Sequence, residues 1–141
     1  MNQKHDEEYF SYLQKRSIIG LIYRKFYLYP VLSLFLKGKV LDVGCGIGDF
    51  LSFKKEAHGI DINEENIGYC KNKNLNASLM KKDIIPFKDN SYDSAIMDNV
   101  IEHIECPQKL LKELNRVLSL NGLLVIGVPG IKGYKSDPDH K

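Results

Sequence analysis

The chain is poor in cysteine, in net charge and in uninterrupted apolar runs, and each shortage removes a class of function. Its three cysteines, Cys45, Cys70 and Cys106, are odd in number and far apart. That spacing offers neither a disulfide framework nor a cysteine metal site, and it fits a reducing cytoplasm. The net charge is only +2, so no field of the kind that marks a nucleic-acid binder is present, and nucleic acid is not expected as a partner. The opening MNQKHDEEYF is polar and acidic and does not read as a signal peptide. The longest apolar stretch, Ile18 to Leu36, carries Arg24 and Lys25 in its middle and is broken by Pro30. A spanning helix is not expected there. A helix pair docked on the core, or resting at a membrane surface through residues 18–36, is. Repeats, low-complexity tracts and linkers are also missing.

What remains is a soluble globular composition, 43% apolar and 27% charged over 141 residues, enough chain for one domain with a real core. Residues 6–36 read as two helices, divided near Ser17 and ended or kinked by Pro30. Then strands and helices alternate. KVLDV (Lys39 to Val43), AHGIDI (Ala57 to Ile62), ASLMK (Ala77 to Lys81), YDSAIMD (Tyr92 to Asp98) and LLVIGV (Leu123 to Val128) read as strands. Between them lie a short helix from Gly48 to Lys55 and a second one capped by Asn63. A third opens at Pro107 and is closed by Asn121-Gly122, with Leu110, Leu111, Leu114, Val117 and Leu118 on one face. Strands alternating with helices predict a parallel sheet with right-handed crossovers. The last stretch, PGIKGYKSDPDHK, is turn-rich and shows no further helix or strand pattern.

The stretch VLDVGCGIGDF places Gly44, Gly46 and Gly48 within five residues, directly after the first strand. In an open α/β sheet that first strand-to-helix turn lies where ligands bind. Glycine there permits unusual backbone torsions and lets a ligand approach main-chain N–H groups. A tight packing turn is the alternative reading of the glycines alone. Asp61 ends the second strand, where an acid can accept hydrogen bonds from both hydroxyls of a ribose, with a strand-end cap as the plainer alternative. Asp83 lies just past the third strand, where it either accepts from an adenine amino group while Ile84 packs on the ring or serves as a plain turn aspartate. The company of Asp42, the glycines and Asp61 favours the first. The spacing is G-x-G-x-G, not the G-x-G-x-x-G of dinucleotide binders, and Asp42 stands just before it. An acid there repels a pyrophosphate and suits a cationic ligand with an amino group. That favours an amino-acid-bearing nucleoside over NAD. A Tyr-x-x-x-Lys pair at Tyr69 and Lys73 reads as a solvated helix face and not as part of a dehydrogenase.

These residues resemble the class I S-adenosylmethionine-dependent methyltransferases, in particular the type 11 small-molecule branch. VLDVGCGIG, GIDIN, KKDIIPF, DNSYDSAIMDNVIEHI and LLKELNRVLSLNGLLVIGVP match its motifs in order, over roughly Lys39 to Gly130. The resemblance implies a Rossmann-like three-layer α/β/α fold with a mainly parallel sheet of about five strands. The C-terminal strands usual in the family have no counterpart in this sequence. Residues 1–37 would be an N-terminal helical cap and 38–141 the cofactor-binding domain. The cofactor would be S-adenosylmethionine, leaving as S-adenosylhomocysteine. Asp42, Gly44 and Gly46 would surround its methionine portion, with Gly48 shaping the loop and Cys45 packing within it. Asp61 would hold the ribose. Ile62, Asp83 and Ile84 would form the adenine pocket, and Asn99 would line the sulfonium side. Asp93 is expected to be structural.

Methyl transfer from a sulfonium is an in-line displacement, so alignment and exclusion of water are the protein's main tasks. A hydroxyl acceptor would call for a general base, and His103 is the candidate, with a capping histidine as the plain alternative. Glu102 and His103 resemble a metal-binding stretch of quinone-type relatives, but those carry an acid where Asn99 stands, so no metal is expected. The expected acceptor is a small molecule, a sugar or a lipid-linked compound. A non-catalytic cofactor-binding or scaffold subunit is the alternative function. Tyr23, Tyr27 and Tyr29 either line the acceptor pocket or pack helices.

Overall fold

A computed structural model describes Phe10, Ser11, Leu13 and residues 17–129. Of the first expected helix only Phe10, Ser11 and Leu13 are described, and all three are helical. The rest of that helix, and the turn-rich tail from Gly130 on, lie outside the described residues. Ser17 is extended (ψ 131°) and starts a new helical run, as the expected division there requires. The run comprises α1 (Ile18–Tyr23), a π-helical stretch (Arg24–Leu28) and α2 (Tyr29–Ser33). Pro30 falls in the first turn of α2. Because Pro30 has no N–H to give, the helix widens ahead of it and continues instead of ending.

The sheet contains β1 (Val40–Val43), β2 (His58–Asp61), β3 (Ala77–Leu79), β4 (Tyr92–Asp98) and β5 (Leu118–Gly127). Their order is β3-β2-β1-β4-β5. Every neighbouring pair is parallel, with Leu41 opposite both His58 and Ala95. The central strand β1 is buried along its whole length, as a parallel strand covered on both faces must be. Helices α3 (Asp49–Phe53), α4 (Glu64–Asn72) and α5 (Gln108–Val117) supply the crossovers. Asn63 caps α4 as its sequence position predicts, its side chain accepting from Glu65 N (2.8 Å) and Asn66 N (3.1 Å).

Alternation along the strands builds two cores. Leu41, Val43, Ala95 and Met97 face α5, where Leu110, Leu114 and Val117 meet them. Val40 and Ile96 face the other way, onto Phe50, Leu51, Ile67 and the N-terminal helices' Tyr29 and Leu36. The result is the three-layer α/β/α arrangement, with an all-parallel sheet of five strands.

The boundary between α5 and β5 differs from expectation. Helix α5 stops at Val117 and not at Asn121-Gly122, because Leu118 is already extended (ψ 139°) and pairs with Tyr92. Pairing resumes at Ser94 with Leu123, so β5 bulges between the two. Asn121, at φ +64°, turns the bulge. Asp93 is structural, as expected: its carboxylate accepts from Lys39 N (2.9 Å) and Ser119 Oγ (3.2 Å), fastening the entry of β1 to β5.

Candidate functional site

The order in which strands are added reverses between β1 and β4, and a crevice forms outside their carboxyl ends. The glycine loop fills the gap after β1. Gly44, Gly46 and Gly48 all adopt positive φ. At Gly44 (φ +73°) a Cβ would stand 2.5 Å from Val100 Cγ2, so no side chain fits between the loop and the segment after β4. Gly44 N and Cys45 N both donate to Ile60 O (2.8 and 3.0 Å), and Gly46 N donates to Asp61 Oδ2 (2.8 Å). The other Asp61 oxygen accepts from Asn63 N at 2.8 Å. Asp61 thus ties the loop to the end of β2. Burial raises its pKa, and these main-chain donors oppose the rise.

Asp42 is buried at the end of β1, and its Oδ2 has no hydrogen-bond partner among the described residues. Burial, then the nearby charges of Asp98 and Asp61, hold its pKa well above the usual carboxylate value. A carboxylate in that setting is poised for a cationic group: a positive ligand would satisfy the orphaned oxygen and relieve the repulsion.

Two residues that sequence reasoning did not single out complete this cluster. Asp98 ends β4, and its Oδ2 meets Arg24 Nη1 at 2.8 Å, across 74 positions of sequence. Burial works against the charge of Arg24, but Asp98, then Tyr29 and Asp49, outweigh it and raise its pKa. Arg24 comes from the π-helical stretch, so the N-terminal helix reaches over the crevice. Beside this bridge a cavity of about 150 Å³ lies between that helix and α3, lined in part by Arg24, Tyr29, Asp49 and Ser52. Asp98 was open to discovery by strand alternation: Asp42 pairs with Ile96, so the acid two residues on faces the same side. Nothing local in the sequence marks Arg24 as the one to reach it.

The remaining expected residues are spread around the rim. Ile62 and Ile84 are large apolar side chains left exposed near the end of β2 and past β3. Asp83 sits at φ +58° in the tight turn between Lys81 and Ile84. Asn99, also at positive φ (+53°), donates its N–H to Gly127 O (2.9 Å) as the chain leaves β4. His103 ends a 3-10 turn (Ile101–His103), half-buried, its N–H on Val100 O (3.1 Å). Cys45 and Cys70 are buried against the loop, both sulfurs near Gly46 O (3.8 and 3.4 Å). Tyr29 belongs to the core, between Phe50 and Phe53. Tyr23 and Tyr27 are exposed and contact each other at 5.4 Å. Lys73, at the end of α4, lies over the ring of Tyr69 at 4.7 Å. Among the described residues no group of three His, Cys, Asp or Glu side chains is arranged to hold a metal ion.

Comparison with known proteins finds methyltransferases among the relatives and the solved structures. The chain is 33% identical over 113 residues to the sterol 4-C-methyltransferase strm-1 of Caenorhabditis elegans, covering 72% of this chain and 34% of that protein. It is 31% identical over 94 residues to the probable tRNA methyltransferase 9B of Homo sapiens, covering 63% and 21%. A crystal structure of a SAM-dependent methyltransferase from Thermotoga maritima, described as a possible histamine N-methyltransferase, superposes with a TM-score of 0.72 at 26% identity. The overlap takes in 86% of this chain and 59% of that one. The chain spans less than half the length of the first curated relatives it matches, 45, 39 and 40% of three proteins of Methanocaldococcus jannaschii. The Methyltransferase domain family matches residues 41–126, from β1 into β5. With sheet order, glycine loop and family match in agreement, the chain belongs to the type 11 branch of the class I S-adenosylmethionine-dependent methyltransferases.

Proposed function

We propose that this chain is the cofactor-binding core of a cytoplasmic methyltransferase acting on a small-molecule, sugar or lipid-linked acceptor. The observation that carries the reading is the buried Oδ2 of Asp42, unpartnered among the described residues, at the switch point of the sheet. S-adenosylmethionine fits that demand, since its methionine end carries an ammonium and its sulfur a positive charge. The exposed Ile62 and Ile84 fit the two faces of an adenine, and the close approach of Gly44 to Val100 brings the segment after β4 against the glycine loop.

Roles follow for the chain's own residues. Asp42 receives the ammonium, with Gly44, Cys45 and Gly46 lining the methionine and Gly48 holding the loop's turn. Asp61 accepts from the ribose hydroxyls with the lone pairs that Gly46 N and Asn63 N leave over. Asp83 meets the adenine amino group, and Asn99 borders the sulfonium side. The cofactor, when bound, supplies a methyl group on a positively charged sulfur. The protein then needs only to align the acceptor, exclude water and, for a hydroxyl acceptor, remove a proton, the task assigned to His103. Residues 1–37 cap the crevice, a role supported by the reach of Arg24 to Asp98.

The acceptor class rests on chemistry and not on kinship, because one relative is named for tRNA and another for a sterol. Titration calorimetry with S-adenosylmethionine, followed by labelled-methyl transfer to fractionated small molecules and lipids, tests the proposal. Micromolar binding and a labelled product in either fraction are expected. Transfer to tRNA alone would overturn the acceptor class. Binding with no transfer to any fraction would favour a non-catalytic subunit, and no binding would remove the function altogether.

A further inference from the structure

The helical run over residues 18–33 has two unlike faces. Leu28, Tyr29 and Leu32 turn inward onto the core, and Arg24 reaches the crevice. The outward face is apolar as well. Ile18, Ile19, Ile22 and Phe26, with Leu34 and Phe35 just past α2, are each more than half exposed. Ile18, Ile22 and Phe26 recur every fourth position, and Leu34 continues the row beyond Pro30. Single exposed apolar side chains are ordinary on a protein surface, but a continuous row along one helix is an interaction site.

Charge identifies the occupant. Between Glu8 and Asp42 the sequence has no acidic residue, while Lys15, Arg16, Lys25, Lys37 and Lys39 fall in the same interval, beside Arg24, which Asp98 already engages. The remainder of the chain is net acidic, since the whole carries only +2. A second copy of the chain would bring two cationic faces together and is disfavoured. An anionic bilayer offers what the segment lacks, negative headgroups for its cations and an apolar interior for its isoleucines and phenylalanines. No helix among the described residues is long and apolar enough to cross a membrane, so the helix would lie in the interface.

We propose that the outward face of residues 18–35 docks on an anionic lipid surface while the inward face keeps its contacts with the crevice. This inference uses no feature of the cofactor site. It is tested by flotation of the purified protein with vesicles of phosphatidylcholine alone and with roughly a third phosphatidylglycerol, at low and high salt. Partition at least tenfold stronger onto the anionic vesicles, weakened by salt, is expected. The double variant Ile22→Asp, Phe26→Asp should lose at least tenfold in partition while its circular dichroism stays unchanged. If that variant misfolds, Lys25→Glu replaces it, with a several-fold loss expected on anionic vesicles only. Equal partition onto both vesicle types, or wild-type partition by the folded variants, would overturn the proposal. So would light scattering that shows a wild-type dimer dissolved by the double variant, since the face would then belong to a second copy.

Discussion

Asp42 is placed against its own interest. Its folded pKa is raised above the usual 3.8 by burial and by Asp98 and Asp61. The folded protein therefore holds this proton more tightly than the unfolded chain does. The stabilising effect is fully present below pH 3.8 and is lost as pH rises through the folded pKa. At neutral pH the residue costs stability, a cost that the proposed binding role would account for. Asp42→Asn should raise stability at pH 7 by about 1 kcal/mol. It should also weaken S-adenosylmethionine by about tenfold to a hundredfold, the worth of one charge-assisted contact. Thermal unfolding and calorimetry at the same pH check both halves; a variant both less stable and equally tight would contradict the assignment. Asp61 is a different case, because its carboxylate already accepts from Gly46 N and Asn63 N. Asp61→Ala leaves both donors without their acceptor and should lower stability by about 2–3 kcal/mol. Affinity should fall more than for Asp42→Asn, because the loop loosens as the ribose partner is lost.

At the scale of elements, the glycine loop works by letting the segment after β4 close over the end of β1. Gly44→Ala introduces a Cβ against Val100 Cγ2 at a residue of φ +73°. About 2–4 kcal/mol of destabilisation is expected, part torsional and part steric. Adding Val100→Ala should recover the steric share and leave about 1 kcal/mol of torsional cost, so a urea double-mutant cycle should show coupling of about 1–2 kcal/mol. The elements themselves were legible because their signals are local. Asn63 capped the helix it precedes, and the apolar face of α5 met the sheet. The end of α5 was misplaced because Asn-Gly serves equally as a helix stop and as the turn of a strand bulge, and only the pairing of Leu118 with Tyr92 decides between them. The widening of the helix before Pro30 was hidden for a similar reason: its cause is one residue, but its extent is set by what the inward face packs against. Asp98 and Arg24 were missed because their meeting is long-range. Alternation along β4 gives the direction of the acid, whereas no periodicity says which cation of the first helix arrives above it.

For the whole molecule, the parallel sheet divides the labour between its two ends. The carboxyl ends gather Asp42, Asp61 and Asp98, while a packed polar knot holds the face opposite the N-terminal helix. There His58 on β2 joins Ser78 on β3 through Nε2 (2.8 Å) and Tyr92 on β4 through Nδ1 (3.1 Å), with the ring of Phe87 at 4.7 Å. Burial, and then the charge of Lys39, lower the His58 pKa below the usual 6.5. The folded state thus binds this proton less readily than the unfolded chain. Its contribution to stability is present above pH 6.5 and is lost as pH falls through the folded value. The effect opposes that of Asp42 and Asp61 and acts on the strands that carry them, so mild acid should loosen the sheet while the carboxylates at its far end gain protons. The wild-type thermal midpoint should fall as pH is lowered from 6.5, and His58→Asn should flatten that part of the profile whatever its midpoint at neutral pH. The slope, and not the absolute midpoint, is the readout, because Asn also changes packing against Phe87. Parallel slopes in the two proteins would show that His58 stays neutral throughout and that acid acts on the molecule elsewhere.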